Sequence, residues 1–394
     1  MAAETYTTFR DVDVPIIDAD AHVQEPPHLW IERAPARLKD RAPRVEHRDN
    51  GDWWVFDDGK AAQPLGLTAS AGRSVVEYRR DGVRHDELRP GMSEPKPRLA
   101  DLDADGVYAQ VLYPSVTLAG AKTYSDDRDL QVFCVRSYNE WISEFCAGGA
   151  GRLFAQTIVP TTGIDDAVAE LEWAIEHDHR GVVISRFPNG DFDVEPEDHR
   201  FFGLAEEAGI PVAVHIGSFL KANPNNKWRS PDDLRYLGDT GASKSGGHTL
   251  PVACDILFSG IFEEFPDLKV VLVESNIGWI PTMLEQCDDM FLRYRWFTGA
   301  VEKMSKMPSE VFSRNFWATF MIDTAGLELR HHLNLDHIMW STDYPHSGTD
   351  WPNSRVTMDR QFRGLPLDHV RKFVHANARD LYRIPVPSSE AASS

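Results

Sequence analysis

Two hydrophobic rhythms alternate along the chain. Short, nearly continuous apolar runs are separated by longer segments whose apolar residues return at helical spacing. The first pattern predicts strands covered on both faces, and the second predicts amphipathic helices. Strands are expected at 16–22, 107–113, 153–159, 181–185, 211–216, 268–274, 315–322 and 337–343. Between them, helices are expected at 98–106, 127–145, 165–177, 198–208, 250–265, 280–296 and, briefly, 327–332. Two closing helices follow at 354–362 and 368–378. Within 165–177, Ala167, Leu171, Ala174 and Ile175 share one helical face. Eight strand–helix units with no break in composition predict an α/β fold, a distorted (β/α)8 TIM barrel over residues 14–384. A doubly wound open sheet is the alternative, although eight units would be large for it.

Two long insertions interrupt this rhythm, after the first strand (about 31–95) and after the fifth (218–249). The first begins beyond Pro26-Pro27, which cannot continue a strand. It contains a predicted hairpin, Trp53 to Lys60, turning at Asp58-Gly59. The second is rich in Gly, Asn, Ser and Lys. Long excursions beside strand ends are where a substrate lid belongs. The Pro- and Ser-containing tail, 385–394, is expected to be disordered.

Composition mainly excludes. A formal charge of -20 argues against nucleic acid or an anionic membrane surface as partner. No apolar run approaches the roughly 18 residues that span a bilayer. Met1 to Thr5 lacks the basic-then-apolar order of a signal peptide. The four cysteines show no C-x-x-C spacing, which suits free thiols in a reducing, cytoplasmic compartment. Neither a dinucleotide fingerprint nor a P-loop is present, so a small-molecule substrate without either cofactor is expected.

The chemistry lies where the predicted strands end. The first ends in Asp18-Ala19-Asp20-Ala21-His22. Alternate residues of a strand share a face, and three ligand-type side chains are costly to bury without a cation. The fifth strand ends in His215, the sixth in Glu274 and the eighth in Asp343, followed by Tyr344-Pro345-His346. Each alone has an ordinary account: a core histidine, a helix cap, an Asx-turn. In a barrel, however, all four ends meet at one rim, and together they predict a divalent-metal site.

The segments Pro211-Val212-Ala213-Val214-His215, Gly278-Trp279-Ile280-Pro281, Ser341-Thr342-Asp343-Tyr344-Pro345-His346 and Asn377-Ala378 occur in a telling order. In them the chain resembles the amidohydrolase superfamily, in the branch containing aminocarboxymuconate-semialdehyde decarboxylase and the aromatic-acid decarboxylases. The resemblance implies a distorted barrel, commonly a homodimer, with one divalent metal on Asp20, His22, His215 and Asp343. Two imidazoles and two carboxylates suit zinc, with manganese the alternative. Asp18 would then support the ligands or hydrogen-bond at the strand end. One departure stands out. The decarboxylases usually carry histidine at the end of the sixth strand, where this chain has Glu274. A glutamate exchanges protons near neutrality only if burial raises its pKa.

Two chemistries follow from this ligand set. In non-oxidative decarboxylation of an aromatic or enolic acid, the metal would act as template and electron sink, and Asp343 or a neutral Glu274 would donate the proton. Arg73 could clamp the carboxylate. Trp53, Trp54 and Tyr78 could stack on a ring, although a packed hairpin is the more ordinary use of the tryptophans. In hydrolysis of an amide, lactone or similar bond, a metal-activated water would attack, Asp343 taking its proton and Glu274 or His346 protonating the leaving group. His248, in the second insertion, is expected to close over the substrate. A non-catalytic binding barrel is the third possibility, against which the intact ligand set argues.

Overall fold

The strands carry the positions of the site, and they are described here from a computed structural model covering residues 4–117, 120–219 and 233–387. In chain order they are β1 (Ile17–His22), β2 (Arg44–Arg48), β3 (Gly51–Phe56), β4 (Ala61–Pro64), β5 (Ala109–Tyr113) and β6 (Leu153–Ile158). After these come β7 (Gly181–Ile184), β8 (Val212–His215), β9 (Val270–Val273), β10 (Phe316–Phe320) and β11 (Ile338–Trp340). β1 and β5 to β11 form one eight-stranded sheet in that order, and every paired neighbour is parallel. The apolar runs of β7, β8 and β9 are buried throughout, as strands covered on both faces must be.

The sheet curls until its ends nearly meet. β1 and β11 share no ladder, but the chain just beyond β11 bonds to β1. Asp343 N donates to Asp20 O at 2.9 Å, and His22 N donates to Tyr344 O at 2.5 Å. Helices flank this nearly closed (β/α)8 barrel. In Ile164–Glu176, Ala167, Leu171 and Ala174 are buried and Ile175 packs partly against the core, which is the face the spacing predicts.

One local expectation needs correction and another is extended. The helix expected over 250–265 is divided into Thr249–Leu257 and Ile261–Glu264, because Gly260 between them takes a left-handed φ of 87°. The expected hairpin is part of a three-stranded antiparallel sheet. β3 turns into β4 through Asp57, Asp58 and Gly59, all at positive φ, while β2 pairs with its other edge. Trp54 is buried edge-on against Trp30, and Trp53 donates to Asn50, so both tryptophans serve the packing of this sheet.

The first insertion returns to the strand ends, where Ser70 N and Ala71 N both donate to Pro345 O. Residues 220–232 of the second insertion and 388–394 of the tail lie outside the described residues. Among the described residues no helix is long and apolar enough to cross a membrane.

Candidate metal centre

Asp20 and His22 end β1 fully buried. His22 Nδ1 lies 3.0 Å from Pro114 O, and His215 Nδ1 lies 3.1 Å from Ile216 O. A backbone carbonyl can only accept, so Nδ1 of each ring carries a proton, and in the neutral ring Nε2 is left as a bare lone pair. Both lone pairs point into one nest. His22 Nε2 is 3.4 Å from Asp20 Oδ1 and 3.5 Å from Asp343 Oδ1. His215 Nε2 is 3.5 Å from both Asp20 Oδ1 and Glu274 Oε2. Glu274 and Asp343, just past β9 and β11, hold left-handed φ values of 61° and 57°. Such backbone costs on the order of 1 kcal/mol per residue and gathers at functional sites.

The hydrogen bonding of this nest is incomplete in a particular way. Asp20 Oδ1 and Oδ2, His22 Nε2, His215 Nε2 and Asp343 Oδ1 are buried without a hydrogen-bond partner. With both rings neutral, all are acceptors facing one another, so none can satisfy its neighbour without a proton or a metal cation between them, and leaving them bare is costly. A cation among them satisfies every one. Ligand atoms of Asp20, His22, His215 and Glu274 lie within 4.8 Å of one another, as do those of His22, Asp343 and His346. The donor set fits a divalent metal.

A family model described as Amidohydrolase matches residues 17–384. The chain belongs to the amidohydrolase family. Solved structures with the same fold include an amidohydrolase from Mycobacterium avium subsp. paratuberculosis K-10, at 17% identity and a TM-score of 0.73, covering 94% of this chain and 100% of that one. A 5-carboxyvanillate decarboxylase from Sphingomonas paucimobilis is similar at 22% identity and a TM-score of 0.64, covering 95% and 100%. Another, from Novosphingobium aromaticivorans DSM 12444 with bound manganese, has 15% identity and a TM-score of 0.65, covering 96% and 100%. No curated protein sequence matches the chain.

The amidohydrolase nest is strongly polarised. Burial alone would raise the pKa of Asp20, but the His215 and His22 rings outweigh it and hold Asp20 below the usual carboxylate range. Burial would lower that of His215, yet Asp20 and Glu274 lift it to about 9. Glu274 is raised, first by burial and then by the neighbouring Asp343 charge; Asp343 is raised chiefly by burial. His346 is pushed down to about 3 by burial. Its ring stacks on His22 with centroids 3.9 Å apart, and Nδ1 lies 3.0 Å from Asp343 Oδ1. Its Nε2 and Ser115 Oγ share a hydrogen bond of 2.7 Å.

Asp18 does not join the nest. The β1–β5 register shifts between Asp18 and Ala21. The Asp18 carboxylate accepts from Thr342 N (2.9 Å), Thr342 Oγ1 (2.5 Å), Gln110 Nε2 (2.9 Å) and Asp20 N (3.2 Å). Burial, against those bonds, brings its pKa up to about 7. Arg73 is turned to Glu87, at 3.5 Å, and His248 Nδ1 bonds Ser243 Oγ at 2.9 Å.

Two residues of this amidohydrolase site were not singled out by sequence. Lys244 Nζ contacts Glu274 Oε1 and lies 3.8 Å from Asp343 Oδ2. It sits in Ser243-Lys244-Ser245-Gly246-Gly247, which carries no signal of a site. Ser115 follows β5, and reading the polar residues after that strand as well would have found it.

Proposed function

We propose that this amidohydrolase is a metal-dependent, non-oxidative decarboxylase of an aromatic or enolic carboxylic acid. The observation that carries the proposal is the nest of buried, unpartnered atoms from Asp20, His22, His215 and Asp343, a donor set that a divalent cation would satisfy together. Decarboxylation is favoured because two proteins of like fold are 5-carboxyvanillate decarboxylases, one of them with manganese bound. Asp20, His22 and His215 would hold the ion, with Glu274 and Asp343 closing the set. Zinc suits the two imidazoles and manganese suits the three carboxylates. When bound, the ion supplies a Lewis acid and a template for a carboxylate with a neighbouring oxygen.

Asp343 is the residue we assign to the proton. Burial favours its protonated form, and His346, oriented by Ser115, stands behind it. The proton is delivered to the carbon that bears the carboxylate; the carbon–carbon bond breaks and carbon dioxide leaves. Tyr78, whose hydroxyl donates to Thr349 O at 3.4 Å, has its phenol pKa raised by burial and by Asp350 and Asp343. A cytoplasmic homodimer is proposed from the cysteine usage and the family resemblance.

Glu274 in place of an imidazole favours a second use of the same residues, hydrolysis of an amide, lactone or similar bond. The deciding experiment offers a panel of hydroxybenzoates and pyridine carboxylates, then amides and lactones, to metal-loaded protein in labelled water. Carbon dioxide release with solvent hydrogen on the product is expected. Solvent oxygen in the product would replace decarboxylation by hydrolysis.

A further inference from the structure

Glu274 and Asp343 each divide their two oxygens between different neighbours. The inner oxygens, Glu274 Oε2 and Asp343 Oδ1, face His215 and His22 in the metal nest. The outer oxygens, Glu274 Oε1 and Asp343 Oδ2, face the Lys244 ammonium. The lysine therefore stands outside the nest, against its wall. Its side chain is 31% exposed, while those of Glu274 and Asp343 are 8% and 2% exposed, so the lysine is the most accessible of the three charged side chains.

Its placement is built rather than incidental. The turn Ser243–Gly247 rests on Trp279: a Cβ on Gly246 would come within 2.5 Å of that ring, and Gly246 holds a φ of 83° that only glycine adopts freely. Trp279 is itself pinned, its indole N–H donating to Ser275 O and Asn276 O directly after Glu274. The lysine and the carboxylate it touches are thus held by one small packed unit.

Charge then assigns a task. With all three carboxylates ionised and both rings neutral, Asp20, Glu274 and Asp343 bring three buried negative charges; a divalent ion would offset two, and Lys244 the last. Without the lysine, an anion approaching the nest would meet net negative charge in a poorly screened setting. The ammonium has three donors. Glu274 Oε1 takes one, while Asp343 Oδ2 at 3.8 Å and Met321 Sδ at 3.9 Å are distant or weak acceptors. We propose that Lys244 is the specificity residue of the site, its ammonium receiving the substrate's carboxylate beside the metal nest. This rests on the metal-dependent reading above. The cation expected for this task, Arg73, is paired with Glu87.

The test compares salicylate with salicylamide, a neutral molecule of nearly the same shape. Dissociation constants are measured by calorimetry on the metal-loaded full chain, for the parent, Lys244→Met and Lys244→Arg, with metal content determined for each. The parent should prefer salicylate. Lys244→Met should weaken salicylate by about tenfold or more, the worth of a hydrogen bond to a charged group, and leave salicylamide and metal content unchanged. Lys244→Arg should restore most of the preference. With metal intact, an equal loss for both ligands, no loss, or a parent without preference for the anion overturns the assignment of Lys244 alone. A parent that binds no metal overturns the underlying reading and this inference with it.

Discussion

The main-chain N–H of Asp343 donates to the carbonyl oxygen of Asp20 across 2.9 Å. The two residues whose carboxylates face the nest are thereby also a rung of the seam between the first and last barrel strands. Asp18 and Thr342 add two more bonds at the same seam, and His22 N with Tyr344 O adds another. The ligand atoms are placed by barrel closure, so the nest is organised before any ion enters it.

Asp20→Asn and His215→Ala should each abolish stoichiometric metal binding. Without metal, Asp20→Asn should also be less stable than the parent, because the His215 and His22 rings hold the folded-state carboxylate below its usual range. At an ion concentration about 100-fold above Kd the parent should gain about 2.7 kcal/mol and the variants nothing. Calorimetric melting with and without Zn or Mn, beside metal analysis, checks both parts; equal stabilisation of parent and variants would remove the nest as the binding site.

Gly348→Ala should harm the site more than the fold. A Cβ there would lie 2.3 Å from Asp343 Oδ2 and 2.9 Å from Met321 Cε, so the carboxylate must move. Metal affinity is expected to fall by about 10- to 100-fold, as for other lost ligand supports. A chelator competition titration reads this, and parental affinity would show that Asp343 is not held where the ion needs it.

Ser115→Ala leaves the backbone N–H of Ser115 on Glu25 Oε1 and removes only the hydroxyl that orients His346. Stability should fall by about 1 kcal/mol. On the substrate found in the decarboxylation screen, kcat should fall by about tenfold with KM little changed, since a group that orients an acid–base pair acts on the chemical step. A parental kcat would detach His346 from the reaction.

Glu25 predicts a pH dependence of stability. It is fully buried, Oε2 has no partner, and burial outweighs the bonds from Val116 N and Ser115 N to bring its pKa up to about 8. From the ordinary value of 4.5 up to about 8, the folded chain holds this proton and the unfolded chain has lost it. The unfolded state binds fewer protons, so stability falls as pH rises through that window, by up to about 1.4 kcal/mol for each pH unit. Glu25→Gln should flatten part of this slope in urea unfolding measured from pH 5 to pH 8. An unchanged slope would mean that Glu25 is ionised in the folded protein.

Much of the molecule is set by short-range pattern. Alternation between buried runs and helical faces is written into neighbouring residues, so the eight parallel strands were legible in chain order. So were the rim residues Asp20, His22, His215, Glu274 and Asp343, because the end of a strand in such a barrel is a fixed place. What the pattern could not carry is anything that depends on the path of a long loop or on contacts across the ring. Packing of the Ser243–Gly247 turn on Trp279 brings Lys244 to Glu274, while Arg73 turns to Glu87. Thr342 and Gln110 take Asp18 away from the nest. Glu274 turns one oxygen into the nest and the other out to the lysine because β8, β9 and the second insertion meet there. Local sequence determined which side chains stand at the rim; only tertiary packing decided which of their atoms face one another.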